Sequence, residues 1–164
     1  MSHSQESSPL AQRIPAVTPA FNPYLSYKLH VPAEVLIIHP DIQLKSMLQT
    51  VLTAEGHRIT AFEDGLDALE WLADCLIDGN RLPDLVVADI CAPGRKGIDI
   101  LADLRYAGWA TPFILFDSKN RRHLAQDARR IGGAYVFTFP FEPEDFLVAV
   151  SFLTRQPGSR GYAA

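Results

Sequence analysis

Apolar positions along the chain follow two alternating rhythms. Val35-Leu-Ile-Ile38, Leu85-Val-Val-Ala88 and Phe113-Ile-Leu-Phe116 are short unbroken apolar runs, the pattern of strands buried on both faces. Between them the period becomes helical. Leu44, Met47, Leu48, Val51 and Leu52 share one face of a segment from Ile42 to Glu55, which Gly56 closes. Leu66, Leu69, Leu72 and Leu76 repeat the rhythm after Asp64-Gly65 and stop at Gly79-Asn80. The same reasoning predicts strands over His57–Phe62 and Ala134–Phe139. It predicts helices over Ile98–Tyr106, from about Asn120 to Ile131, and over Glu142–Leu153. Strands alternating with helices in this way require parallel pairing through right-handed crossovers, hence a doubly wound α/β sheet.

The flanks differ. Residues 1–32 carry Pro9, Pro15, Pro19, Pro23 and Pro32 among Ser, Gln and Ala. Repeated prolines remove amide donors, so this stretch reads as a disordered leader, within which Tyr24, Leu25 and Tyr27 are available to dock. Residues 154–164 read as a flexible tail, leaving 33–153 as the folded domain. An apolar fraction of 48% is enough for a sizeable core, and a net charge of −4 argues against a nucleic-acid binder. Cys75 and Cys91 have neither metal nor redox spacing, and no signal or membrane-length apolar run is visible. A reduced, cytoplasmic protein follows.

In an open parallel sheet the reactive site lies at the carboxyl ends of the strands. Those ends bring His39-Pro40-Asp41, Asp89, Asp117-Ser118 and Phe139-Pro140 together. The run Leu82-Pro-Asp-Leu-Val-Val-Ala-Asp89-Ile-Cys-Ala-Pro93-Gly94-Arg-Lys-Gly97 resembles the signature of response-regulator receiver domains. Thr111-Pro-Phe-Ile-Leu-Phe116, Gly132-Gly133 and Phe139-Pro-Phe141 are similar to the motifs that follow it in that family. The resemblance covers roughly Glu34 to Leu153. It implies a flavodoxin-like fold with strand order 2-1-3-4-5, Asp89 as phosphoacceptor, a cis bond at Phe139–Pro140, and a signalling module rather than an enzyme.

The rest of the family's site is altered. Where two acidic residues bind Mg²⁺ with the acceptor, this chain has His39 and Pro40. Proline offers no ligand, and imidazole suits softer metals. Asp41 falls one position late, where it caps the first helix. Asp117 replaces the Thr or Ser that receives a phosphoryl oxygen, and Ser118 beside it would need a change of register to do so. Phe139 replaces the lysine, and Val136 the aromatic switch residue, with Tyr135 pointing to the other sheet face. Phosphoryl transfer depends on charge neutralisation. Mg²⁺ binding, and any other cofactor, is therefore not expected.

Two alternatives attach to the altered pocket. A protonated His39 would compensate two carboxylates left without their lysine, or His39, Asp89 and Asp117 would bind a transition metal such as Zn²⁺. Arg95 and Lys96 would bring charge towards Asp89 from the loop after it. Away from the pocket, Lys119, Arg121, Arg122, Arg129 and Arg130 make the fourth helix basic. That helix belongs to the face of helix four, strand five and helix five, which receivers use for partners and dimers. An acidic protein partner there, with a homodimer as a further option, fits better than DNA or a membrane. The expected function is a phosphorylation-independent interaction module; the rival is a working phosphoacceptor fed by a histidine kinase. A flavodoxin-like enzyme is disfavoured because no strand–helix junction carries a glycine-rich phosphate loop.

Overall fold

The computed structural model describes residues 32–155. The proline-rich leader and residues 156–164 lie outside that range, so the docking role of Tyr24, Leu25 and Tyr27 does too. Strands β1 (Glu34–Ile38), β2 (Arg58–Phe62), β3 (Leu85–Asp89), β4 (Phe113–Asp117) and β5 (Ala134–Thr138) alternate with five helices. These are α1 (Ile42–Ala54), α2 (Gly65–Ile77), α3 (Gly97–Tyr106), α4 (Arg122–Ile131) and α5 (Pro143–Arg155). All strand pairs are parallel, in the order β2-β1-β3-β4-β5.

Alternation along each strand divides the core in two. Leu36, Ile38, Val86, Ala88, Phe113 and Leu115 face α2, α3 and α4. Val35, Ile37, Leu85, Val87, Ile114 and Phe116 face α1 and α5. The three central strands are therefore apolar at nearly every position, which is why their runs stood out. Strand β5 lies at the sheet edge and is only half covered, Tyr135 being 56% exposed.

Several boundaries differ from the expected ones by a residue or two, and three of the shifts have a local reason. Strand β5 stops at Thr138, its last partner being Asp117 at the end of β4, so Phe139 lies just beyond the strand. Helix α4 starts at Arg122, because Asn120 has φ 50° and the Asp117 carboxylate holds the amides of Lys119 and Arg121 in a turn. Helix α5 runs on through Thr154, whose hydroxyl donates to the Val150 carbonyl, to Arg155. Phe139–Pro140 is cis, in line with the family resemblance.

Candidate functional site

Asp89 ends β3 with its side chain 14% exposed, and its Oδ1 accepts the Cys91 amide at 2.8 Å. The loop beyond it is drawn tight by Gly97, where a Cβ would come within 2.3 Å of the Asp89 carbonyl oxygen. Only glycine lets α3 start so close to Asp89.

His39 arrives from the end of β1 and is 5% exposed. Its Nδ1 accepts the Asp41 amide at 3.0 Å, so the proton of the neutral ring sits on Nε2. Nε2 stands 3.7 Å from Asp89 Oδ2, too far for a hydrogen bond, and has no hydrogen-bond partner among the described residues. Burial pushes the His39 pKa down, and this outweighs the opposing pull of Asp89 and Asp41. That direction favours the neutral ring and weighs against a protonated His39 compensating the carboxylates.

Asp117 is 1% exposed and already satisfied. It accepts the amides of Lys119 and Arg121, and Arg121 Nε lies 3.3 Å from its Oδ1. The counter-charge comes from Arg121, not from a lysine on β5 and not from His39. Arg121 accordingly leaves the outward cation set in which the sequence placed it. Nor do His39, Asp89 and Asp117 assemble as metal ligands. Among the described residues, no group of three or more His, Cys, Asp or Glu side chains is placed to hold an ion.

Mg²⁺ does not fit the residues present. It needs several hard oxygen ligands. Pro40 supplies none, Asp41 Oδ1 is taken by the amides of Gln43 and Leu44 at the start of α1, and a neutral imidazole faces Asp89. The cationic loop residues do not help. Arg95 is bound to Asp103 at 2.7 Å, and Lys96 stands at the start of α3. Ser118 is exposed, and the strand register puts Asp117 rather than Ser118 level with the end of β5.

At the position where the family resemblance implies a lysine, Phe139 joins an aromatic cluster. Its ring lies 5.7 Å from Phe116 and 5.3 Å from Phe141, and Phe116 also meets the His39 ring edge-on at 6.3 Å. Phe116 thus joins both ends of the altered pocket, a role that a buried apolar strand residue does not advertise in sequence. Val136 packs on the α2–α4 side and Tyr135 stacks with Phe137 on the other, as alternation requires.

The family model for the response regulator receiver domain matches residues 35–151. The chain belongs to that family. Among related regulators, the transcriptional regulatory protein DltR of Streptococcus agalactiae is 29% identical over 122 residues, covering 74% of this chain and 52% of that protein. The response regulator protein PmrA of Pseudomonas aeruginosa is 29% identical over 130 residues, covering 77% and 54%. This receiver spans about half the length of the curated relatives it matches. Among solved structures, the receiver domain of the Francisella response regulator 1452 superposes with a TM-score of 0.65 at 25% identity, covering 75% of this chain and 97% of that one. The BeF3-activated receiver domain of Klebsiella pneumoniae RstA gives 0.65 at 22%, covering 75% and 99%.

Proposed function

We propose that this receiver is an interaction module of two-component signalling whose state does not depend on phosphorylation of Asp89, and which needs no cofactor, Mg²⁺ included. One observation carries the reading: the pocket's other carboxylates are engaged elsewhere, and no cation among the described residues is paired with Asp89. Asp117 is neutralised by Arg121 and its own loop, and Asp41 caps α1. Asp89 is left beside a neutral imidazole, with Phe139 where a cation would be. Among the described residues no cation is paired with Asp89 to offset the charge that develops when a phosphoryl group is transferred.

The partial exposure of Asp89 supports the rival reading, a phosphoacceptor fed by a histidine kinase. Incubation with acetyl phosphate and Mg²⁺ followed by intact-mass measurement separates the two. No mass gain is expected. A gain of one phosphoryl group, absent in Asp89→Asn, would refute the proposal.

The same reading gives the module its partner surface, an acidic protein on the basic side of α4, in the cytoplasm and without nucleic acid. Among the described residues no helix is long and apolar enough to cross a membrane. With Arg121 tied to Asp117 and Arg130 set 3.5 Å from Asp127, Arg122 and Arg129 are the exposed arginines of α4 left without an ion pair among the described residues, and Lys119 just before the helix is unpaired as well. The double charge reversal Arg122→Glu with Arg129→Glu should abolish capture of that partner. Unchanged capture would move the partner elsewhere.

A further inference from the structure

Helix α2 is the chemical opposite of α4. Its sequence, GLDALEWLADCLI, holds no Lys or Arg. Asp67, Glu70, Asp74 and, at the cap, Asp78 recur at helical spacing and fall on one exposed stripe. None of the four enters an ion pair among the described residues. Alongside that stripe Leu66 is 48% and Ile77 82% exposed, so the outward face of α2 is both acidic and apolar, with no element packed on it among the described residues.

On α4, Arg122 and Arg129 are seven residues apart, as Asp67 and Asp74 are on α2. Each pair therefore spans about 10.5 Å along its helix. The two helices lie on the same side of the sheet with α3 between them. Both return against parallel strands and so run in the same direction.

We infer that this chain pairs with a second copy of itself through the layer of α2, α3 and α4, with the carboxylates of α2 on the arginines of α4 of the other copy. A two-fold axis parallel to the helices and passing over α3 makes both contacts at once, Asp67 meeting Arg122 and Asp74 meeting Arg129 twice over. An axis across the helices would instead set α2 on α2, acid against acid. The inference rests on the reading of α4 as a partner surface and commits that surface to a second copy.

Sedimentation velocity on the full chain tests it, over a concentration series and at salt from about 0.05 M to about 0.5 M, where the screening length shrinks to a few ångström. A dimer is expected at low salt, with its dissociation constant raised at least about tenfold at high salt. Arg122→Glu with Arg129→Glu should be monomeric, and so should Asp67→Lys with Asp74→Lys. Mixing the two variants restores opposite charges at both contacts of the pair and should return the dimer, which neither a misfolded variant nor an unrelated interface would do. A wild type that stays monomeric, a dimer that either reversal leaves intact, or a mixture that stays monomeric would overturn the inference. A monomer that still captures an acidic partner through Arg122 and Arg129 would overturn it while leaving the partner surface standing. The mass test on Asp89 reads the pocket alone.

Discussion

Replacing Asp117 by alanine separates two views of that residue: an intruder that repels phosphoryl groups, or the anchor of the β4–α4 loop. The carboxylate is 1% exposed and accepts two backbone amides and one guanidinium N–H. Hydrogen bonds to a charged group contribute about 1.5–3 kcal/mol each. The guanidinium bond is long, and Arg121 keeps 28% of its side chain exposed, so its share is discounted for solvent. The amide of Lys119 belongs to an exposed residue and regains water once the carboxylate is gone. The net cost of Asp117→Ala is then about 3 kcal/mol, close to the lower end for breaking a buried pair. Asp117→Asn keeps one acceptor oxygen and should cost about half as much. Urea denaturation followed by the fluorescence of Trp71 and Trp109, with unchanged m-values, measures both. If Asp117→Ala unfolds within about 0.5 kcal/mol of the wild type, the carboxylate does not hold the loop, and Arg121 has no reason to point inward.

Other consequences can be measured separately. Gly97→Ala should destabilise the domain by about 1–3 kcal/mol, because its Cβ would meet the backbone at Asp89, which cannot move aside; a melting temperature equal to wild type would contradict this. For His39 the folded pKa is lowered, so the unfolded chain takes up a proton first as pH falls. Stability is then fully present above about pH 6.5, the ordinary histidine value, and is lost as pH falls towards the folded pKa. His39→Asn should lose less stability than wild type between pH 7 and pH 5, and equal losses would remove burial of His39 as the cause. Restoring the family's chemistry by combining His39→Asp, Pro40→Asp, Asp117→Thr and Phe139→Lys should allow Mg²⁺-dependent phosphorylation of Asp89 at least about 100-fold faster than wild type. Equal rates would show that the altered residues are not what holds the reaction back.

From sequence alone, the architecture was legible wherever burial leaves a pattern. Val35–Ile38, Leu85–Ala88 and Phe113–Phe116 lie in the middle of the sheet with helices on both sides, so they had to be continuous apolar runs. Asp41 was readable as a helix cap because a capping side chain bonds amides two and three residues on. The identity of the pocket residues was equally clear, since the ends of parallel strands meet by topology. Their partners were not. Arg121 read as one more outward cation on a basic helix, and only the left-handed Asn120 and the turn built on Asp117 bring it inward. Arg95 read as a charge near Asp89, but Asp103, eight residues further on, holds it away. The charge state of His39 depends on how completely β1 and Phe116 enclose it, which is a sum over residues distant in the chain. Local periodicity determines which elements form and where their ends meet. Which charges neutralise one another there depends on distances and on exclusion of water, and both exist only once the chain is folded.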